Sequence, residues 1–400
     1  MTLNELKAFL KIGEELPEVL YGLYDGLEEK NELYGEAILE NLQSKYAIFE
    51  PSNYESVLFG LKAIAENKKL LTWALLAVEY IKLCKTPEEM QKMPMPEPDG
   101  TPAGDTVSLL VNIPFLEDGI ARYESYGFTR EEAIKEIKSF NGCMNSVKRE
   151  LGRAAYTPRY FRWTSRNIFA TLFKYGTLSF EITPYLHRVI LLKNNKSGEY
   201  SKVMTEGTFH RSGMVLGSAG LTDTEGSFGP HFVETDTEIT GYEAKDGYVV
   251  PELKTYSKSE WTPVLRNGDK AIYIHIPRNT DLSPEAVKKT IREGCALIRK
   301  KFGEDIKYCY TRTWLLSPNI SECLSETSKI LQFRNIFDRY PVLSTGKELM
   351  TYLYTADTED YESLPENTSL QRKVKQIYLD GRFIYAGAGI ITNEEYYEEQ

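Results

Sequence analysis

The hydrophobic periodicity of this chain changes near residue 165, and that change limits the folds open to it. Before this point apolar residues recur at helical spacing, and Leu70–Ile81 is apolar on every side, as expected of a central bundle helix. After it, apolar and polar residues alternate with the two-residue period of β-strands. We therefore predict an α+β protein, with a helical domain at residues 1–150 and a mixed α/β domain at residues 151–400.

Three segments carry more local predictions. Residues Thr177–Thr183 and His187–Lys193 alternate as strands around Pro184-Tyr185, which predicts a hairpin. Leu349–Tyr354 is predicted as a further strand. The segment Thr86–Asp105 holds five prolines and two glycines, which favours an extended loop, either a surface crossover or a lid.

Composition argues against several classes of function. The chain has 58 acidic and 48 basic residues, so a general positive field for nucleic acid is not expected. No apolar run reaches the length of about 18 residues that a membrane helix needs. Five scattered cysteines indicate reduced thiols and a cytoplasmic protein. The four histidines lack metal-binding spacing, so no metal site is predicted.

The run Lys270–Gly303 reads as a buried strand, a polar loop and a capped helix. Pro277 follows the strand, Ser283 is a suitable N-cap, and Gly303 suits the helix C-terminus. A loop that leads into a free helix N-terminus is suited to binding an anion. An ordinary strand–loop–helix unit that binds nothing fits the same pattern.

The C-terminal half resembles the bacterial acyltransferase domain-containing proteins, which have a helical N-terminal domain and a GNAT-like C-terminal domain. The segments that carry this resemblance occur in order along the chain: Ala170–Ile182, Glu260–Pro277, Thr311–Pro318 with Ser328–Phe337, and Leu364–Gly381. The resemblance implies a central sheet with splayed strands and transfer of an acyl group from acyl-CoA, acetyl-CoA or a carrier thioester to an unidentified amine. A homo-oligomer is compatible with it.

The same resemblance implies a pyrophosphate-binding loop at the start of the helix. The family motif there contains glycines, whereas Pro277–Ala286 contains none. The candidate donor-binding residues are Arg278, Asn279, Thr280, Leu282 and Ser283. An ordinary polar loop is the alternative interpretation.

Two side chains are candidates for catalysis. His275 at the strand end has an imidazole suited to a general base, or it simply holds the turn by donating to a backbone carbonyl. Tyr310 lies on an alternating strand and is the candidate acid for the leaving thiolate, provided that it faces a cleft. A second class of function stays open: a non-catalytic protein of this fold that binds a small molecule or carbohydrate, for which 27 tyrosines supply stacking surface.

Overall fold

The protein forms two compact units in a computed structural model that describes residues 1–278, 280–303, 306–354 and 358–397. The units are Met1–Phe173 and Lys174–Gln400. The predicted domain boundary at residue 150 precedes the helix Pro158–Ile168, which lies within the first unit. The boundary at residue 150 therefore stays a prediction of where one functional domain ends and the next begins.

The first unit is helical up to the strand that begins at Leu172, as the 3.6-residue periodicity predicts. Its helices are α1 (Leu3–Phe9), α2 (Val19–Asp25), α3 (Glu36–Tyr46), α4 (Pro51–Ile64), α5 (Lys68–Leu83), α6 (Pro87–Gln91), α7 (Pro102–Leu110), α8 (Leu116–Ser125), α9 (Arg130–Ile137), α10 (Ser139–Leu151) and α11 (Pro158–Ile168), with a 3-10 turn at Ile113–Phe115. Among the helices whose residues are described, none has both the length and the hydropathy required to cross a membrane.

The predicted loop at Thr86–Asp105 is wrong in part, because two of its prolines begin helices. Thr86 forms a capping box with Glu89 and places Pro87 in the first turn of α6, and Pro102 stands likewise in the first turn of α7. The segment between them packs inward: the indole nitrogen of Trp73 donates to the carbonyl of Pro94 at 3.1 Å. It is therefore part of the helical core and not a surface crossover.

The second unit contains two sheets, and the chain enters it within β1. Its strands are β1 (Leu172–Tyr175), β2 (Leu178–Pro184), β3 (Val189–Asn194), β4 (Tyr200–Met204), β5 (Phe232–Glu234), β6 (Glu238–Lys245), β7 (Tyr248–Ser257), β8 (Trp261–Leu265), β9 (Lys270–His275), β10 (Cys309–Thr313), β11 (Asp338–Pro341) and β12 (Gly387–Ile390). Its helices are α12 (Pro284–Phe302), α13 (Lys329–Arg334), α14 (Met350–Leu353) and α15 (Ser369–Leu379), with 3-10 turns at Trp314–Leu316, Ile320–Cys323 and Glu394–Tyr396.

The two sheets differ in strand order. The central sheet has the order β1-β2-β9-β10-β12-β11, and the second sheet has the order β5-β6-β4-β3-β8, with β7 paired to β6. In the central sheet, β9 is antiparallel to β2 and parallel to β10. The predicted helical domain followed by a mixed α/β domain is confirmed.

Two local strand predictions are wrong. β2 and β3 do not pair as a hairpin, because β2 joins β9 in the central sheet and β3 joins β4 and β8 in the second sheet. Their alternation is correct, but alternation does not identify the partner of a strand. The predicted strand at Leu349–Tyr354 contains α14 instead, since Met350 and Tyr354 are both buried at helical spacing.

The central sheet is covered on both faces. On one face Phe180, Ile274 and Cys309 lie beneath α12, where the sulfur atoms of Cys295 and Cys309 approach to 3.5 Å. On the other face Ala271 and Tyr310 join one buried cluster with Val189 and Leu191 of the second sheet. Alternate side chains of β9 therefore point to a helix and to a sheet.

A glycine allows the close contact of α12 with the central sheet. A β-carbon at Gly294 would lie 2.4 Å from the ring of Phe180, whereas one at Gly142 in α10 would meet nothing within 4 Å. Alanine in place of glycine favours a helix by about 1 kcal/mol, and overpacking costs about 1–3 kcal/mol. We expect Gly294→Ala to lower the free energy of unfolding and the control Gly142→Ala to raise it, as measured by denaturant titration. Equal shifts in both variants would contradict the packing described here.

Candidate active site

The predicted general base, His275, is paired with a carboxylate. Its Nε2 lies 2.7 Å from Oε2 of Glu181, and the two side chains are 18% and 5% exposed. The pair forms because Ser179 is the register partner of His275 and Glu181 is that of Tyr273, which puts all of these residues on one face of the sheet.

The carboxylate determines how this histidine can act. An ionised carboxylate only accepts hydrogen bonds, so Nε2 of His275 donates to Glu181 when that carboxylate is charged. A buried carboxylate is also costly unless it is paired. The interaction therefore fixes the orientation of the imidazole at the end of β9.

β9 and β10 separate next to this pair. Their ladder contains two registered pairs, Ile272 with Cys309 and Tyr273 with Tyr310. Beyond these pairs, side-chain hydroxyls form hydrogen bonds with backbone N–H and carbonyl groups. The hydroxyl of Tyr273 accepts from the Arg312 N–H at 3.1 Å and donates to the Arg312 carbonyl at 3.0 Å. The Thr311 hydroxyl donates to the Ile274 carbonyl at 2.8 Å. Hydroxyls thus take the place of strand-to-strand hydrogen bonds where the strands diverge.

Tyr310, the predicted proton donor, lies on the same face of the sheet as His275. It is 3% exposed, and its hydroxyl donates to the carbonyl of Pro184 at 3.1 Å. The ring of Tyr273 stands between the two residues, with centroids 5.0 Å from Tyr310 and 4.6 Å from His275. A role in proton donation would require the Tyr310 hydroxyl to leave Pro184.

The predicted donor-binding residues occupy the loop between β9 and α12. The side chain of Arg278 is exposed and its Nη2 lies 3.5 Å from the Tyr352 carbonyl. The hydroxyl of Thr280 donates to the carbonyls of Pro277 and Thr177 at 2.7 and 3.1 Å. Leu282 is half-buried, and Asn279 lies outside the described residues. The loop therefore makes contacts both within its own turn and with Thr177 and Tyr352 elsewhere in the unit.

The N-cap residue of α12 already has an anionic partner from the chain itself. Ser283 is the N-cap residue, but its side chain does not cap the helix. Its backbone N–H and its hydroxyl each donate to the carboxylate of Asp281 at 3.0 Å, and the ammonium of Lys329 lies 3.1 Å from the same carboxylate. The Ser283 N–H and Lys329 hold the pKa of Asp281 below its usual value. An external phosphate at this position would compete with Asp281.

A second histidine belongs to the aromatic cluster behind the site. Nδ1 of His187 lies 2.8 Å from the hydroxyl of Tyr340, which in turn accepts from Tyr185 at 3.1 Å. His187 also packs edge-on against Tyr310, with ring centroids 5.2 Å apart. Burial, together with the positive charge of Arg312, lowers the pKa of His187 to about 4.

The residues Ile306, Lys307 and Tyr308, which lead into β10, border a separate cavity of about 600 Å³. Its lining includes Lys193, Tyr200, Arg299, Tyr308 and Glu394. Because β9 and β10 are parallel, this cavity lies at their N-terminal ends and His275 at the C-terminal end. Within the part of the chain that the structure describes, no three His, Cys, Asp or Glu side chains group as a metal site requires.

Sequence reasoning missed Glu181 and Tyr273. A carboxylate inside the alternating run of β2, flanked by Phe180 and Ile182, was the available signal for Glu181. Tyr273 gave no signal of its own, because an aromatic residue within a strand is typical of a sheet core. Both residues matter only because β2 pairs with β9, and Glu181 and His275 on these strands are 94 residues apart in the sequence.

Comparisons with known proteins agree with this architecture. A model of the family described as GNAT-like C-terminal domain matches residues 172–391, which is more than half of the chain. No curated protein sequence matches the chain at a significant level.

Solved structures of similar fold cover 98% of this chain and 99% of their own. One is an acyltransferase in complex with decanoyl-CoA, with a TM-score of 0.62 and 14% identity. Another is an acyltransferase mutant in complex with octanoyl-CoA, with a TM-score of 0.61 and 14% identity. A third is an acyltransferase in complex with decanoyl-CoA and teicoplanin, with a TM-score of 0.59 and 14% identity. At this level of identity the likeness shows a shared fold.

The lowered pKa of His187 predicts a specific loss of stability in acid. Between pH 6.5 and about 4 the unfolded chain binds a proton here that the folded protein does not. The free energy of unfolding should therefore fall as the pH drops through this range, by up to about 3 kcal/mol for this residue. NMR titration should show a neutral His187 at pH 5.5. The His187→Gln variant should lose this part of the pH dependence, and an imidazole that titrates near 6.5 would contradict the prediction.

Proposed function

The chain belongs to the family of proteins with a GNAT-like C-terminal domain, and on this premise we propose that it transfers an acyl group from acyl-CoA to an amine. The observation that carries the proposal is the His275–Glu181 pair, 2.7 Å apart, at the point where β9 and β10 diverge. A histidine oriented by a carboxylate at the end of a strand is suited to general-base catalysis. The acyl-CoA complexes of the structural neighbours support a CoA thioester as the donor.

His275 is the general base of the proposed reaction. It accepts a proton from the acceptor amine as the amine nitrogen attacks the thioester carbonyl. A carbon–nitrogen bond forms and the carbon–sulfur bond breaks, and the leaving thiolate takes up a proton from His275 or from solvent. Glu181 is a positioning residue, because it orients the imidazole and stabilises the imidazolium that forms.

Backbone groups of the central sheet and residues of the loop before α12 bind the acyl donor in this proposed reaction. Backbone N–H groups of β9, the strand that ends at His275, polarise the thioester carbonyl. The donor's phosphates bind at the loop formed by Arg278, Thr280, Leu282 and Ser283, with Lys329 nearby. Asn279, which lies outside the described residues, stays a predicted part of this loop. The role of Tyr310 as proton donor also stays a prediction, since its hydroxyl contacts Pro184.

Replacement of His275 tests the chemical step separately from binding. We expect His275→Gln to lower turnover of acetyl-CoA with a panel of amines by about 10²–10⁴-fold, because a general base contributes that much. Acetyl-CoA affinity, measured by calorimetry, should stay near normal. Turnover is followed as release of the free CoA thiol, and the control is His231→Gln, at an exposed histidine outside this pair.

Glu181→Gln distinguishes a positioning role from a structural one. It should lower kcat more than it raises KM and should shift the acidic limb of the pH–rate profile, since the amide no longer stabilises a charged imidazole. If turnover in His275→Gln equals that of the wild type, His275 is not the general base and the proposal is wrong. If acyl-CoA binds but no amine is acylated, the alternative of a non-catalytic binding protein is favoured instead.

The charge of Asp281 provides a test of the phosphate loop. Asp281 occupies the N–H of Ser283, so it would repel a phosphate placed at the start of α12. We expect Asp281→Asn to tighten CoA binding several-fold at low salt, with a smaller gain at high salt because mobile ions screen the interaction. Lys329→Met should weaken the same binding. The measurement is calorimetric titration with CoA at two salt concentrations. If the affinity for CoA is unchanged in both variants, the donor's phosphates do not bind at this loop.

A further inference from the structure

The side chain of Tyr273 closes one face of the gap between β9 and β10. The hydroxyl of Tyr273 bonds to both the N–H and the carbonyl of Arg312, at 3.1 and 3.0 Å. These are the backbone groups that a longer parallel ladder would engage. Tyr273 therefore fills the space that opens where the ladder ends.

The surroundings keep Tyr273 in place. Its ring packs against His275 on one side and edge-on against Tyr310 on the other, with centroids 4.6 and 5.0 Å away. Tyr310 is itself fixed by its bond to Pro184. On the opposite face Thr311, which is 1% exposed, bridges to Ile274. The gap is thus closed on both faces within two residues of the proposed base.

We infer that Tyr273 restricts the acyl donor to short chains, an inference that rests on the proposed function. With the thioester carbonyl beside His275 and the amide-bearing arm directed outward, the acyl substituent points into the gap that Tyr273 fills. An acetyl group has a single methyl beyond the carbonyl and so reaches least far into the gap. A chain of eight carbons requires the ring to leave, together with two hydrogen bonds and its contacts with His275 and Tyr310. Tyr273 is therefore a specificity-determining residue, and the donor class is short acyl-CoA.

Two variants separate the ring from its hydroxyl. Tyr273→Ala removes both and should open the gap, whereas Tyr273→Phe keeps the ring and loses only the bridge to Arg312. The probes are CoA, acetyl-CoA and octanoyl-CoA, titrated calorimetrically into the full chain. Wild type should bind octanoyl-CoA at least about tenfold more weakly than acetyl-CoA, a discrimination within the range that pocket size produces.

Tyr273→Ala should reverse this preference, and Tyr273→Phe should retain it. CoA itself should bind all of these proteins alike, because it has no acyl chain to place. Tyr273→Leu, which retains more apolar volume, replaces the alanine variant if thermal unfolding shows that the latter does not fold; it should weaken the preference.

The outcomes distinguish this inference from the proposed function. If wild type binds octanoyl-CoA as tightly as acetyl-CoA, or if Tyr273→Ala leaves the preference unchanged, the role of Tyr273 is overturned while acyl transfer stands. If neither CoA nor any of its thioesters binds at millimolar concentration, the proposed function itself fails. The same ranking should appear in kcat/KM for the two thioesters once an amine acceptor is found.

Discussion

The antiparallel pairing of β2 with β9 is the interaction on which the candidate site depends. It sets Glu181 opposite Tyr273 and Ser179 opposite His275, so the carboxylate and the imidazole meet from adjacent strands. A shift of this register by one residue would turn Glu181 toward the face covered by α12 and leave it unpaired among apolar side chains. The burial of Phe180 beneath Gly294 of the same helix fixes that register, because it leaves Phe180 one face to occupy.

The parts of the fold that could be predicted from sequence are those set by local physics. Pro277, Ser283 and Gly303 delimit the strand, loop and helix correctly, since proline geometry, N-cap preference and left-handed glycine act over a few residues. The rule that clustered prolines indicate a loop gave the wrong prediction at Pro87 and Pro102. There proline begins a helix, because its missing N–H would have no helical partner in that position.

What could not be predicted depends on partners that are distant in sequence. The sequence identifies His275 as a candidate, but its partner Glu181 lies on β2, which the alternating pattern predicts to pair with β3 and not with β9. Two alternating strands near each other in sequence are compatible both with a hairpin and with membership of separate sheets. Only the packing of α12 on one side and of the second sheet on the other distinguishes these arrangements. The contact of Asp281 with Ser283 is likewise a matter of side-chain direction, which residue type alone does not give.

The divergence of β9 from β10 also has a consequence for solubility. Strands that part inside a sheet create two internal edges, and unpaired peptide groups along an edge can recruit a strand from another chain. Here the hydroxyls of Tyr273 and Thr311 bond to the peptide groups of Arg312 and Ile274 at that edge. Two side chains thereby protect these peptides from intermolecular strand addition, as charged residues and bulges do at the outer edges of other sheets.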